Sequence, residues 1–192
     1  MKKIIISTLI IILLNYTIVG LTTKNSNEKE AKKYYAKGNS LLNKNRYSES
    51  IKYFDKAIEL DTDYNEPLLK KGIALSFFGN YDEALECYDK ILKIDNFHLE
   101  IKHSKNIYLE TLNEKSYILY HKELFDEAIY FSDLVLEKDN KNIRAITNKV
   151  AALLKLEKYN DTNEYLDLLI KIDKTNKKNY LELKANIEKF LS

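Results

Sequence analysis

Residues 79–85 of the chain read Gly79-Asn80-Tyr81-Asp82-Glu83-Ala84-Leu85. Glycine and asparagine tolerate the positive φ that often ends a helix, and acidic residues favour the first turn of a helix. The stretch therefore predicts a tight turn followed at once by a new helix. Similar stretches begin at Asn45, Glu123 and Glu157, and each has Tyr or Phe at its third position.

The aromatic residues of these stretches recur at a fixed interval. Tyr47 and Tyr81 are 34 residues apart, as are Phe125 and Tyr159, whereas Tyr81 and Phe125 are 44 residues apart. A period in this range indicates an array of stacked helical units. The ten additional residues of the middle interval, 99–108, contain no Gly or Pro. We therefore expect this insertion to make the following helix begin early and run long.

Composition excludes several classes of protein. Apolar residues make up 45% of the 192 residues and charged residues 31%, which fits a globular chain rather than a disordered one. One Pro and four Gly leave little turn material for a many-stranded β fold. Lys2 and Lys3 account for the whole net charge of +2. Since the remainder is balanced, we expect no nucleic-acid partner.

The N-terminus has the layout of a targeting segment. Two lysines precede an apolar run from Ile4 to Leu14, and Ile18 to Leu21 extend it. This pattern is typical of a signal peptide, yet residues 4–21 also reach the lower length limit for a membrane span. Residues 1–23 are thus predicted to be a cleaved signal or an uncleaved anchor, followed by a linker over 24–30. Either case predicts export across the cytoplasmic membrane, with membrane contact only through this segment.

Apolar residues in the body of the chain follow helical spacing. Tyr34, Gly38 and Leu41 share one helix face, and Phe54 and Ala57 share a face of the next helix. Glycine inside a helix costs about 1 kcal/mol relative to alanine. We therefore expect Gly38 where a neighbouring helix must approach closely.

The pattern resembles the tetratricopeptide repeat family. In the second unit the residues that carry the resemblance are Leu68, Gly72, Leu75, Gly79, Tyr81, Ala84 and Tyr88. In the first unit they are Tyr34, Gly38, Leu41, Tyr47, Phe54 and Ala57, and Ser50 replaces a small alanine. The third and fourth units depart further: Ser132 stands where the family has an aromatic residue, and Val150 replaces the glycine.

The resemblance implies an all-α fold, a right-handed α-solenoid of antiparallel helix pairs. We assign four repeats to residues 31–64, 65–98, 109–142 and 143–176, with the insertion 99–108 between the second and the third. Residues 177–192 are predicted to form a capping helix, because a solenoid end otherwise exposes its stacking surface.

The resemblance also implies that the first helices line a concave groove that binds an extended peptide or a partner helix. Helical phase places eight candidate groove residues there: Tyr35, Asn39, Leu69, Ile73, Asn113, Tyr117, Tyr120 and Thr147. Tyrosine is a favoured interface anchor. The alternative is that Leu69 and Ile73 only pack against the neighbouring helix. The carboxylate-binding Lys and Asn pair of some family members is absent, because Tyr35 and Asn39 hold these positions.

No constellation of residues predicts catalysis or a cofactor. His98 and His103 are five residues apart, which is not the spacing of helical metal ligands. Cys87 is the single cysteine and is expected to be a packed side chain. The sequence therefore predicts a non-catalytic protein–protein interaction scaffold without metal or cofactor. The alternative is a self-associating structural protein of an envelope assembly.

Overall fold

The computed structural model describes the backbone of residues 2–93 and 102–192 and the side chains of residues 20–93 and 105–192. All regular secondary structure in these ranges is helical. The helices are α1 (Lys2–Leu42), α2 (Tyr47–Leu60), α3 (Asn65–Ser76), α4 (Tyr81–Leu92), α5 (Lys102–His121), α6 (Phe125–Lys138), α7 (Ile143–Lys155), α8 (Tyr159–Ile172) and α9 (Lys177–Leu191). The predicted all-α repeat fold is confirmed.

The chain divides into two compact units, Met1–Phe77 and Phe78–Ser192. In the first unit, α2 packs against both α1 and α3. In the second, each helix from α5 to α8 packs against the next along the chain, and α4 and α9 pack at the two ends of this series. Packing between sequence neighbours is what a repeat array requires, because each repeat contacts only the adjacent ones.

Helix α1 is longer than the repeat requires. It runs for 41 residues and continues through residues 24–30, which the sequence predicts to be a linker. Glu28, Lys29 and Glu30 are good helix formers, and no Pro or Gly interrupts the segment. Whether residues 1–23 are a signal or an anchor remains a prediction, and the side chains up to Val19 lie outside the described residues. In the described part of the chain, no helix combines the length and the apolar character that crossing a membrane demands.

The turns inside the repeats share one backbone conformation. Gly79 has φ +76°, and Asn45, Glu123 and Glu157 have φ values between +57° and +62°. Each of these residues lies two positions before the aromatic residue that starts the next helix. This turn position requires the left-handed backbone conformation, and glycine occupies it in only one of the four turns. For a residue with a Cβ atom this conformation is strained.

Close helix approach in the first unit depends on Gly38. A Cβ atom added there would lie 2.6 Å from Cε1 of the Phe54 ring, well inside contact distance. Phe54 and Ala57 are fully buried in this unit. The predicted role of Gly38 is confirmed, and it lets an entire aromatic ring fill the space between α1 and α2.

The second unit fills the same space differently. Ser116 of α5 and Ser132 of α6 are both fully buried, with their hydroxyl oxygens 2.8 Å apart. The Ser116 hydroxyl is also 2.8 Å from the carbonyl oxygen of Ala128, to which it donates. Hydrogen bonding between two small residues thus replaces the glycine–aromatic contact.

The insertion and the C-terminal helix agree with their predicted helical character. Helix α5 begins at Lys102 and is 20 residues long, so the described part of the insertion lengthens it. Helix α9 covers one end of a cluster of buried residues from α7 and α8 with Ile187. Its outer face is mixed rather than wholly polar, because Leu181, Phe190 and Leu191 are exposed between charged residues.

Candidate partner-binding surfaces

An aromatic cluster occupies one end of α5 in the second unit. The Tyr117 ring lies 4.3 Å from the His121 ring and the Tyr120 ring 5.3 Å from it, both edge-on. Tyr81 of α4 stacks on His121 at 6.1 Å, and Phe125 of α6 contacts Tyr120 at 5.7 Å. We call these five residues the aromatic patch. Three helices supply them, so the patch is held by tertiary packing.

The aromatic patch remains accessible. Tyr117 is 41% exposed and His121 is exposed, whereas Tyr120 and Phe125 are half-buried. Lys122 forms an ion pair with Asp82 beside the patch. Rigid aromatic side chains with an open face bury apolar area at low cost in conformational entropy. The patch therefore has the character of a protein-contact surface.

Asn113 and Thr147 do not join the aromatic patch. Asn113 is 4% exposed, donates to Oδ1 of Asn142 over 3.4 Å, and accepts at its backbone carbonyl from Nδ2 of Asn148 over 3.1 Å. Its own Oδ1 has no partner among the described residues. The Thr147 side chain is exposed, and its hydroxyl donates to the carbonyl of Ile143 over 2.8 Å. Asn113 is thus a structural residue that holds α5 to α7, and only Thr147 is exposed.

A polar notch of about 290 Å³ lies beside Asn113. It is lined by Asn106, Leu109, Glu110, Asn113, Asp139, Asn142 and Arg144. Arg144 forms a 2.7 Å ion pair with Glu114, whose side chain is almost fully buried. Oxygen acceptors dominate the lining, so the notch suits groups that donate hydrogen bonds, such as peptide amides.

The four candidates of the first unit separate by burial. Leu69 is 1% exposed and cannot offer its side chain to a partner, which favours the alternative that it packs against neighbouring helices. Tyr35 lies 6.1 Å from Phe54 and 5.3 Å from Tyr64, and is half-buried in this ring cluster. Asn39 and Ile73 are half-buried as well. Partner binding at these positions stays a prediction, restricted to Tyr35, Asn39 and Ile73.

The sequence did not predict Tyr81 and His121 as members of a surface cluster. A repeated contact links them: the aromatic residue that starts a second helix stacks on the end of the next first helix. Tyr47 stacks on Phe77 at 4.5 Å in the first unit, and Tyr159 contacts Phe190 at 5.3 Å in the second. Phe77 and His121 are 44 residues apart, the same interval that separates Tyr81 from Phe125, so the repeat spacing with its ten-residue insertion was the available signal.

Among the described residues, no three His, Cys, Asp or Glu side chains are grouped so that they could hold a metal ion. His98 and His103 lie outside the described side chains. Cys87 is buried. Burial, followed by the nearby charge of Glu114, raises the pKa of the buried Tyr88 phenol far above its ordinary value. Its hydroxyl has no described hydrogen-bond partner.

Two models of the tetratricopeptide repeat match the chain, one over residues 31–64 and the other over residues 66–98. Residues 31–98 therefore consist of two tetratricopeptide repeats, as the sequence resemblance implied. An uncharacterized protein of Methanocaldococcus jannaschii is 40% identical over 53 residues, which are 28% of this chain and 62% of that protein. The alignment thus spans less than two thirds of that relative.

Solved structures of MamA share the fold of this tetratricopeptide repeat protein. A double mutant of MamA RS-1 has a TM-score of 0.68 at 18% identity, covering 82% of this chain and 83% of that one. MamA from residue 41 to its end, from Desulfovibrio magneticus RS-1, has a TM-score of 0.64 at 19% identity, covering 83% and 94%. At this identity the likeness shows the fold alone. Tetratricopeptide repeats generally serve as scaffolds for protein–protein interaction, and the two matched repeats point to that class of function.

Proposed function

We propose that the chain is a non-catalytic scaffold that binds a peptide or a partner helix over the surface of α5. The observation that carries this proposal is the aromatic patch of Tyr81, Tyr117, Tyr120, His121 and Phe125. Tyr117 packs on His121 and leaves much of its ring exposed, which the core does not require. Interface hot spots are enriched in such tyrosines.

The polar notch supports the same proposal. Asn113, which lines the notch, is one helical turn from Tyr117 on α5. A partner that covers Tyr117 therefore brings its backbone amides near acceptors such as Asp139 and Asn142. In binding sites, apolar side chains usually supply most of the affinity, and a few polar groups fix the orientation of the bound molecule.

A pull-down with the full chain tests the proposal. The chain and its Tyr117→Ala variant would be crosslinked in extracts of source cells, with Tyr130→Ala as the matched control, because Tyr130 is 58% exposed on α6 outside the patch. We expect a protein captured by wild type and by Tyr130→Ala and lost by Tyr117→Ala. Equal capture by all three would place binding elsewhere.

Self-association is the second candidate, and α9 favours it. Leu181, Phe190 and Leu191 are 48%, 72% and 52% exposed on this terminal helix. Phe190 and Leu191 are adjacent, and neighbouring exposed apolar side chains can form a contact with another molecule. Light scattering of the full chain and of Phe190→Asp tests it: a dimer lost in the variant supports self-association, and a monomeric wild type contradicts it.

The N-terminal segment supports export as a further part of the proposal. Lys2 and Lys3 followed by the apolar run suit either a cleaved signal or an anchor in the membrane. Intact mass of the chain purified from fractionated source cells distinguishes them. Loss of about the first 20–23 residues supports a signal, and the full mass in the membrane fraction supports an anchor. The full mass in the cytosol contradicts export.

A further inference from the structure

One ion pair recurs at the junctions between successive repeats. In three of the pairs a lysine on the first helix of one repeat contacts an aspartate on the second helix of the repeat before it, and in the fourth pair the lysine lies on the capping helix α9. The pairs are Lys71–Asp55 at 2.5 Å, Lys115–Asp89, Lys149–Asp133 at 2.5 Å and Lys184–Asp167 at 2.6 Å. The aspartates are separated by 34, 44 and 34 residues, the same intervals as the turn aromatics. The pair is therefore part of the repeat in this chain.

The ion pair marks the stacking face of each first helix. The side chains of Lys115 and Lys149 are 15% and 11% exposed, and each is paired with an aspartate of the preceding repeat. Burial lowers the pKa of Lys149, but hydrogen bonds to Asp133 and Tyr165 outweigh it and the pKa is raised. A lysine kept charged at a packed junction requires a carboxylate opposite it.

The first repeat keeps the lysine at this position. Lys37 directly precedes Gly38, as Lys71 precedes Gly72, and the two lysines are 34 residues apart. Lys37 is exposed and has no ion-pair partner among the described residues. Glu49 is close enough for Lys37 to lower the pKa of its carboxyl, but Arg46 contributes most of that shift through hydrogen bonds of 2.5 and 2.6 Å.

The surroundings of Lys37 form an open stacking face. Lys33 and Ser40 of α1 are exposed, whereas the same positions in the later repeats are buried. Those buried positions are Pro67 and Ala74, Thr111 and Ile118, and Ala145 and Ala152. We call the lysine stripe the group of Lys29, Lys33, Lys37 and Ser40, which lie along one side of α1, together with Lys44 of the following turn. Glu30 flanks its N-terminal end.

We propose that the lysine stripe binds a helix of another protein that places a carboxylate on Lys37, as Asp55 is placed on Lys71. Charge complementarity identifies the occupant as acidic. A face that served only to keep the array end soluble would carry charges of both signs, yet the stripe has four lysines and no carboxylate. This surface is separate from the aromatic patch.

A second copy of the chain is a poorer occupant than an acidic helix of a different protein. The aspartates at the matching position are Asp55, Asp89, Asp133 and Asp167, and each is already paired with a lysine of its own chain. Docking through any of them would first break an internal junction. An external helix with an available Asp or Glu needs no such exchange.

A peptide titration tests the proposal. The probe is a stapled helical peptide of residues 47–60, the natural α2 sequence that carries Asp55. Its binding to the full-length chain in mild detergent would be followed by fluorescence anisotropy. We expect Asp55→Asn in the peptide, or Lys37→Glu in the chain, to weaken binding by about 3- to 10-fold. Lys155→Glu, at an exposed lysine of α7, is the matched control and should not weaken it.

A charge swap makes the test specific. An Asp55→Lys peptide should bind Lys37→Glu better than wild type, and wild-type binding should weaken with added salt. No binding of the α2 peptide up to its solubility limit, or equal binding by Lys37→Glu, overturns the proposal. Tyr117→Ala should leave peptide binding unchanged, so failure here and failure of the aromatic patch are distinguishable.

Discussion

The first and the third repeat fill the same space between their two helices with different chemistry. Gly38 leaves room for the Phe54 ring, whereas Ser116 and Ser132 bring two hydroxyl groups together. In both repeats the second residue follows the first by 16 positions, and both second residues are fully buried. The position therefore requires matched volume and satisfied polar atoms rather than one residue type.

The largest loss of stability is expected from substitution of Phe54, the aromatic residue in this comparison. Phe54→Ala removes a fully buried ring opposite Gly38, which has no side chain that could fill the cavity. We expect the free energy of unfolding to fall by about 3–5 kcal/mol. Urea denaturation followed by circular dichroism measures it. A loss below that of Ser132→Ala would contradict the assigned packing.

Substitutions in the Ser116–Ser132 pair should lower the free energy of unfolding less than Phe54→Ala does, and their effects should not be additive. Ser132→Ala leaves the Ser116 hydroxyl bonded to the Ala128 carbonyl, so we expect a loss of about 1 kcal/mol. Changing both serines to alanine removes both buried hydroxyl groups and should cost less than the sum of the single changes. A double-mutant cycle of unfolding free energies measures this, and strict additivity would show that the hydroxyl groups do not interact.

The turns inside the repeats also differ in how easily their residues adopt the required backbone conformation. Gly79 adopts its positive φ without strain, whereas Glu157 adopts φ 58° with a Cβ atom. Glu157→Gly is expected to raise the unfolding free energy by about 0.5 kcal/mol, because relief of strain exceeds the entropy that glycine adds to the unfolded chain. Gly79→Ala should lower it by about 1 kcal/mol. The two denaturation midpoints should move in opposite directions.

The smallest change in stability is expected from substitution of the turn aspartates, and its size depends on pH. Asp173 accepts from Nδ2 of Asn176 at 2.9 Å and from the Tyr180 hydroxyl at 2.8 Å, and these bonds lower its pKa. Because the folded pKa is depressed, the stability it contributes is present above its ordinary pKa of 3.8 and is lost as pH falls through the lower value.

Asp173→Asn tests this assignment by thermal unfolding. The variant should be less stable than wild type at pH 7, and the difference should shrink towards pH 3 and below. Asp61→Asn is the control at the equivalent turn, where, among the described residues, the carboxylate accepts a single 3.2 Å hydrogen bond from the Asp63 amide. A difference for Asp173→Asn that stays constant with pH would contradict a role for its charge.

The sequence was sufficient for the repeat fold because its signals are local. The turn stretches, the helical spacing and Gly38 each depend on residues close together in the chain or one repeat apart. Burial of Leu69 and Asn113 was not predictable in this way, since it depends on how a neighbouring helix covers one side of α3 or α5. The aromatic patch combines Tyr81 with residues 36 to 44 positions later. Phase within a single helix does not identify such a cluster.

Hydrogen exchange of the full chain, alone and with the partner captured by the pull-down, tests the central claim most directly. The account predicts that partner binding slows the exchange of backbone amide hydrogens over residues 113–125, where α5 ends and α6 begins. Tyr117→Ala should abolish that protection. Protection confined to α1 or α9, with residues 113–125 unchanged, would contradict binding at the aromatic patch.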